Sequence, residues 1–330
     1  MKMKTSLSLF FLVFVGITLP AQINSALALH VRNTPDSIET NVEALTAYLL
    51  REAGSDREKA EVIFYWITNN IEYDIEAYFE DVYFENFEET LARKRGVCVN
   101  FTSLFKKMCE IAKLECYEVS GYAKGYGFEK GTYYAQVNHK WNVVRIDSLY
   151  LCVDPTWGSG SYEENSYGFE YKKGTSMEYF LANPLSFLLE HLPVDPKWQF
   201  LERPIKMEDF IWAKMEFTPP LKENNHVSDQ AFVRYRKLTL IDQRIDDLEN
   251  GIAFYRSDYL IEHLAILCYQ EAYELSTKGT TKEEVEKSIA LYQKSLENFR
   301  EIEISNPKYK TQIGHIADGI TYSKYRLGRM

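Results

Sequence analysis

The strongest constraint on the fold is a change in the spacing of apolar residues near residue 116. Before this point apolar side chains recur every three or four residues, which predicts helices. The predicted helices cover residues 37–52, residues 55–70 and a segment that begins at Cys98. After this point the pattern is that of strands, at about residues 116–122, 139–146 and 149–154. Helices followed by strands predict an α+β domain with an antiparallel sheet.

Length and charge narrow the class of protein. With 330 residues, the chain is long enough for one large domain and a second, smaller one. Its net charge of −10, without any long run of Lys or Arg, argues against nucleic acid and anionic membranes as partners, because both attract clustered positive charge. We therefore expect no nucleic acid partner. We also expect no cofactor.

The first residues have the pattern of a signal peptide. Lys2 and Lys4 precede an apolar run at residues 7–15, and a small residue follows the helix breaker Pro20. Cleavage near Ala21 is expected, with residues 26–28 as a second possible site and an uncleaved apolar helix as the alternative. The sequence thus predicts a secreted or periplasmic protein, of bacterial type, with no stable membrane insertion after cleavage.

Three regions follow from these patterns. Residues 1–21 form the signal peptide, residues 22–220 one domain, and residues 221–330 a helical-hairpin module with a faint tetratricopeptide-like character. Within the domain, residues 158–174 are rich in Gly, Ser and Tyr and predict a loop. The proline-rich stretch from residue 177 to residue 220 predicts an extension that wraps the domain. A protein partner is conceivable for the helical module, although a simple helical core is the plainer interpretation.

Cys98 is the first candidate for chemistry. The chain has five cysteines, an odd number, so at least one thiol stays unpaired even in an oxidising compartment. Cys109, Cys152 and Cys268 lie in apolar runs and are expected to be inert and buried. Cys98 follows Gly96 at a predicted helix start, where the helix dipole and free N–H groups favour a thiolate and can hold an oxyanion. A purely structural cysteine is the alternative.

His139 and Asp154 are the second and third candidates. If Asp147 and Ser148 form a two-residue turn, Ile146 faces Leu149 across the hairpin. The numbers of any two residues that face each other then add up to 295. His139 and Asp154 then become diagonal neighbours on one face of the hairpin. The carboxylate can accept a hydrogen bond from the imidazole and fix its orientation. The alternative is a histidine that is satisfied by a carboxylate and has no catalytic role.

Several motifs, in order along the chain, resemble the transglutaminase-like superfamily, over about residues 60–210. They are residues 63–74, Arg95-Gly96-Val97-Cys98, residues 104–109, residues 120–122, Asn138-His139-Lys140-Trp141-Asn142 and Val153-Asp154-Pro155-Thr156-Trp157-Gly158. Residues 179–184 and 191–199 are similar to the extension of the kyphoscoliosis-peptidase and cytokinesis-protein branch. Two departures stand out: Val99-Asn100 replaces the usual small or glycine-containing dipeptide, and Tyr150 stands where many relatives have Trp.

The resemblance implies a papain-like core in which a nucleophile helix packs on an antiparallel sheet. It also implies a catalytic triad of Cys98 as nucleophile, His139 as base and Asp154 as the residue that orients the histidine. The expected function is that of an exported cysteine peptidase or amidase working through a thioester. The alternatives are a protein-crosslinking transglutaminase, a catalytically silent scaffold and, more remotely, a metal-binding protein. Trp66, Asn100 and Gln136 are guesses for a side-chain oxyanion donor.

Overall fold

A computed structural model describes residues 23–80, 86–125, 127–165, 168–213, 230–303 and 307–330. For residues 163–169 and 303–307 it gives no side-chain information. The predicted signal peptide, residues 1–21, lies outside the described residues.

Thirteen helices and eight strands are defined in the described part of the chain. The helices are α1 (Ser25–Arg32), α2 (Val42–Leu49), α3 (Asp56–Asn70), α4 (Ile75–Glu80), α5 (Phe87–Arg93), α6 (Cys98–Ile111), α7 (Pro184–Phe187), α8 (Met207–Ile211), α9 (Gln230–Tyr235), α10 (Leu240–Phe254), α11 (Asp258–Lys278), α12 (Lys282–Glu303) and α13 (Lys310–Leu327). The strands are β1 (Glu72–Tyr73), β2 (Arg95–Gly96), β3 (Cys116–Ala123), β4 (His139–Ile146), β5 (Leu149–Val153), β6 (Gly160–Asn165), β7 (Gly168–Lys173) and β8 (His191–Pro193).

The central sheet has four antiparallel strands in the order β5-β4-β3-β8. Ile146 pairs with Leu149 and Asn142 with Val153, so the predicted two-residue turn and its register are confirmed. Asp147 in this turn has a φ of 54°, a left-handed conformation that Asp tolerates better than most residues. The α+β fold with an antiparallel sheet is therefore as expected from the sequence.

The helix α6 packs on one face of the sheet, and α3 packs against α6. Apolar side chains of both helices form the main core together with side chains of β4 and β5. Ser55 caps α3, and Glu58 completes the capping box by accepting from the backbone N–H of Ser55, as the sequence pattern indicates. The predicted single helix at residues 37–52 is wrong. It divides into a short 3-10 turn and α2, because the side chain of Asn41 accepts a hydrogen bond from the N–H of Ala44 and starts a new helix there.

The extension after residue 177 covers the other face of the sheet and also adds a strand to it. Its strand β8 pairs with β3, where Gly121 faces Pro193. A Cβ at Gly121 would lie 2.3 Å from the carbonyl oxygen of Leu192 and 2.4 Å from the ring of Trp141. Only glycine therefore permits this close approach of β8 to β3.

The predicted loop at residues 158–174 is wrong, because β6 and β7 form an antiparallel hairpin there. The hydroxyl of Tyr171 donates hydrogen bonds to the backbone oxygen and the hydroxyl of Ser159, which ties the hairpin to the end of the preceding turn. Tyrosine-rich sequence with alternating exposure fits a two-stranded ribbon as well as a loop, and the glycines mark its ends.

The C-terminal helices α10 to α13 pack against one another around an apolar core, in agreement with the predicted helical module. They also pack on the domain. Lys197 of the extension lies among the carboxylates of Asp195, Asp246 and Asp247, the last two from α10. Among the described residues no helix combines the length and apolar character needed to cross a membrane.

Candidate functional site

Cys98 is the first residue of α6, as predicted. The first amides of a helix have no acceptor within the helix and point towards its N-terminus, where they can bind a negative charge. Sequence reasoning takes Gly96 as a residue that leaves space for backbone to approach a substrate, but the structure gives it a different role. A Cβ there would lie 2.5 Å from the Cβ of Asn100, so the space beside Gly96 holds the Asn100 side chain and not a substrate. The Oδ1 of Asn100 accepts a hydrogen bond from the N–H of Val97 at 2.8 Å and fixes the backbone before Cys98.

The three predicted site residues lie together. The Nε2 of His139 lies 2.7 Å from the Oδ2 of Asp154. The same imidazole also interacts with the thiol of Cys98 through a hydrogen bond and through its charge, and the backbone N–H and charge of Lys140 act on that thiol as well. His139 is 7% exposed and Asp154 is fully buried, whereas Cys98 is partly exposed. Cys98 is therefore the most exposed residue of the three.

The electrostatics favour an ion pair between Cys98 and His139. Burial raises the pKa of the thiol, but the hydrogen bond and charge of His139 and the Lys140 N–H outweigh burial and leave the pKa below its ordinary value. Burial lowers the pKa of His139, but the charge of Asp154 and its hydrogen bond outweigh burial and raise the pKa to about 10. At neutral pH these shifts favour a thiolate beside an imidazolium, which is the reactive form of a cysteine.

A second histidine, His191 of β8, also contacts Asp154. Its Nε2 lies 3.0 Å from the Oδ2 that His139 uses. Burial raises the pKa of Asp154, but the charge of His139 and the hydrogen bonds from both histidines hold it well below its ordinary value. Sequence reasoning missed His191. It lies in the segment quoted for the family extension, but its place depends on the pairing of β8 with β3, for which the local sequence has no signal.

The rings of Tyr73 and Tyr162 contact each other near Cys98. Sequence reasoning singled out neither residue, although Tyr162 lies in residues 159–169, which it considered either as one side of a peptide groove or as a solvated loop. The two rings meet edge-on with centroids 5.4 Å apart. Burial raises the pKa of both hydroxyls, and the negative charge of Cys98 raises it further. The hydroxyl of Tyr162 is buried without a hydrogen-bond partner among the described residues. The hairpin of β6 and β7 thus places the hydroxyl of Tyr162, a hydrogen-bond donor without a described partner, on the side of the domain where Cys98 lies.

The guessed oxyanion donors lie in different surroundings. Trp66 is fully buried in the main core, with the ammonium of Lys94 4.3 Å from the centre of its ring. Asn100 supports the backbone at Val97, as described above, and Gln136 is exposed in the segment before β4. The described contacts of Trp66 and Asn100 are structural, and the Nε1 of Trp66 is buried without a hydrogen-bond partner among the described residues.

The other four cysteines are buried, and no disulfide joins any of the five, all of which lie in the described part of the chain. Burial raises the pKa of Cys152 and of Cys268 to about 12, and it raises that of Cys109 well above its ordinary value. Thiols of this kind stay protonated and unreactive at neutral pH. The expectation that Cys109, Cys152 and Cys268 are buried is confirmed.

Two groups of side chains have the spacing of metal ligands, with ligand atoms within 4.8 Å of one another. The first is His139, Asp154 and His191, whose Nε2 and Oδ2 atoms already hydrogen-bond to one another. In the second group, the three carboxylates around Lys197 already surround an ammonium. In the first group the Nε2 atoms of both histidines are paired with Asp154, and in the second group the carboxylates are paired with Lys197, so these contacts already occupy the atoms that face one another.

Residues 43–155 match the model of the transglutaminase-like superfamily. This segment contains α2 to α6, the strands β1 to β5, and all three of Cys98, His139 and Asp154. The chain therefore carries a transglutaminase-like domain, followed by C-terminal helices, and the resemblance noted from its motifs is confirmed at this level.

Curated proteins with related sequence include the kyphoscoliosis peptidase of Mus musculus, 33% identical over 187 residues, which make up 55% of this chain and 28% of that protein. Hillarin of Drosophila melanogaster is 29% identical over 187 residues, or 50% of this chain and 21% of that protein. Cytokinesis protein 3 of Schizosaccharomyces pombe is 26% identical over 123 residues, or 36% of this chain and 13% of that protein. The chain spans less than a third of the length of these relatives. A transglutaminase-like fold supports a function related to that of cysteine proteases or transglutaminases.

Proposed function

We propose that the chain is an exported cysteine-dependent amide hydrolase, a peptidase or amidase that acts on peptide or protein substrates. In this proposal Cys98 is the nucleophile, His139 the general acid and base, and Asp154 the residue that orients the imidazole. The observation that carries the proposal is that one imidazole interacts both with Cys98, a partly exposed residue, and with a buried carboxylate.

In the first half-reaction the thiolate of Cys98 attacks the carbonyl carbon of the substrate amide and forms a carbon–sulfur bond. The carbonyl oxygen takes up the negative charge, and the free amides at the start of α6 are suited to bind it. The imidazolium of His139 then gives its proton to the amide nitrogen as the carbon–nitrogen bond breaks. A free amine leaves, and the acyl group stays on Cys98 as a thioester.

In the second half-reaction neutral His139 takes a proton from a water molecule as the water oxygen attacks the thioester carbonyl. The carbon–sulfur bond breaks, the carboxylic acid leaves, and the thiolate–imidazolium pair is restored. The sum is one amide and one water converted to one acid and one amine. Asp154 stays ionised throughout and stabilises the imidazolium of His139.

Water is the acceptor that we propose, because the negative net charge and the predicted export fit a secreted hydrolase better than a crosslinking enzyme. A lysine amine in place of water would give a crosslinked product by the same thioester. The motifs for export are Lys2, Lys4 and the apolar run at residues 7–15. We therefore expect the mature protein, recovered from outside the cytoplasm, to begin near residue 22.

The test is to incubate the purified protein with a library of peptide amides and to measure both product release and the intact mass of the protein. We expect amide hydrolysis and a transient acyl adduct at Cys98, both absent in Cys98→Ala. Cys109→Ala is the matched control and should keep both. A fluorescent primary amine in the same reaction distinguishes the acceptors, since its incorporation into product would favour the crosslinking enzyme. Absence of any adduct or turnover would favour the silent scaffold.

A further inference from the structure

The carboxylate of Asp154 accepts four hydrogen bonds, two on each oxygen. Its Oδ2 accepts from His139 at 2.7 Å and from His191 at 3.0 Å. Its Oδ1 accepts from the backbone N–H groups of Thr156 at 2.9 Å and Trp157 at 3.1 Å. A carboxylate has about four acceptor positions, so this set fills all of them and fixes the orientation of the group.

His191 is held as firmly as the carboxylate that it contacts. Its side chain is fully buried, its ring stacks on Phe187 with centroids 3.9 Å apart, and Trp157 lies 4.3 Å away on another side. The backbone of β8 pairs with β3, where His191 faces Ala123. The imidazole thus has one available position, and in that position its Nε2 points at Asp154.

His191 is suited to donate without carrying a charge. The titratable groups that face it are His139 from β4, Asp154 after β5, and Tyr179 with a ring centroid 6.3 Å away. Burial lowers the pKa of His191 and the positive charge of His139 lowers it further; the hydrogen bond and charge of Asp154 and the backbone of Phe187 raise it, but the net shift is downward. Because the Nε2 donates to a carboxylate, a neutral imidazole here carries its one proton on Nε2.

We propose that His191 is a positioning residue of the active site, which acts on the reaction through Asp154. As a neutral donor it fixes Oδ2 towards His139 and leaves the full negative charge of the carboxylate to stabilise the imidazolium. A charged donor, such as a lysine, would compete with His139 for that charge. The inference rests on the proposed function, and it means that the extension after residue 177 completes the site as well as wrapping the domain.

The variants His191→Phe and His191→Gln separate the donor from the packing. Phe keeps an aromatic ring against Phe187 and Trp157 but has no donor, whereas Gln can place an amide N–H near the position of Nε2. The main readout is the ratio of the rates at which iodoacetamide alkylates Cys98 at pH 6 and at pH 9, mapped by mass spectrometry. This ratio depends on the thiolate–imidazolium pair and needs no substrate. Thermal unfolding is measured in parallel to follow stability.

We expect His191→Phe to lower the pH 6 to pH 9 ratio by about tenfold, the scale of one lost hydrogen bond to a charged group. His191→Gln should retain most of the wild-type ratio, even if both variants lose some thermal stability. An unchanged ratio in His191→Phe would overturn the inference. An equal fall of the ratio in both variants would also overturn it, because it would point to packing alone.

Failure of the inference and failure of the proposed function have different signatures. If the library test finds no hydrolysis but the ratio responds to His191→Phe and not to His191→Gln, the positioning role stands and the hydrolase does not. If amides are hydrolysed and kcat and KM are unchanged in His191→Phe, the hydrolase stands and the positioning role fails. A fall in kcat with an unchanged KM in His191→Phe supports both.

Discussion

Replacing Asp154 by Asn changes one atom in a fully buried group that accepts four hydrogen bonds. An Asn side chain has one oxygen and one NH2 group, so it can serve only one of the two donor pairs. If its oxygen faces the backbone N–H groups of Thr156 and Trp157, its NH2 meets the donors of His139 and His191. The opposite orientation sets the NH2 against the two backbone donors. Either way two hydrogen bonds to the original carboxylate are lost, and an imidazole can make a new bond to the Asn NH2 only if it changes tautomer so that its Nε2 accepts.

The size of the effect follows from these two bonds. A hydrogen bond to a charged group contributes roughly 1.5–3 kcal/mol. We take the lower end, because neutral Asn is easier to bury than a carboxylate, and expect Asp154→Asn to lower the free energy of unfolding by about 3 kcal/mol at pH 7. The assay is urea denaturation followed by circular dichroism. Asp318→Asn, the same change on an exposed face of α13, is the control and should stay within about 0.5 kcal/mol of the wild type.

The pH dependence of this difference is a second check on the same variant. The pKa of Asp154 is held below its ordinary value of 3.8, so its contribution is present above about pH 4 and is lost as the pH falls through the lower, folded-state pKa. The difference between wild type and Asp154→Asn should therefore shrink as the pH falls below about 4. A difference under about 1 kcal/mol at pH 7, or one that does not change at low pH, would refute the reasoning.

Three further outcomes are expected. In Gly121→Ala the new Cβ would lie 2.3 Å from the Leu192 oxygen, so we expect urea denaturation to show a free energy of unfolding that is about 2 kcal/mol lower. Alkylation of Cys98 should also be slower. Unchanged stability would contradict the close packing of β8 on β3. In Cys98→Ser the contribution of Cys98 to the pKa of His139 is gone, but the charge and hydrogen bond of Asp154 still raise that pKa, so protonated His139 adds stability below pH 6.5. That stability should be lost as the pH rises above 6.5, by up to roughly 1.4 kcal/mol per pH unit, and a flat profile would be inconsistent with the raised pKa. Lys197→Met leaves the surrounding carboxylates without their ammonium and should lower the free energy of unfolding by about 3 kcal/mol. A loss under about 1 kcal/mol would show that the ion pairs between Lys197 and these carboxylates contribute little to stability.

Local signals account for the parts of the fold that could be predicted from the sequence. The turn at Asp147 and Ser148 sets the register of β4 and β5, and that register alone brings His139 next to Asp154. The start of α3 follows from the side chains of Ser55 and Glu58, which are close in sequence. In each of these cases the residues that decide the structure lie within a few positions of one another or on either side of one tight turn.

The errors have an equally physical cause. The hairpin of β6 and β7 has few apolar residues and resembles a loop, since a two-stranded ribbon needs little hydrophobic alternation. His191 lies 37 residues after Asp154, and the two meet only because β8 pairs with β3 on the far side of the sheet from β5. The space beside Gly96 is filled by Asn100 from the next helical turn, a contact that follows from side-chain packing and not from residue type.

The most direct test of the central claim, that His139 and Asp154 activate Cys98, is the pH dependence of Cys98 alkylation in the wild type and in His139→Ala. The account predicts that the wild-type thiol reacts well below the ordinary thiol pKa of about 8.5, and that His139→Ala moves the profile up towards that value. A wild-type thiol that reacts only near pH 8.5, or a profile that is the same in both proteins, would contradict it.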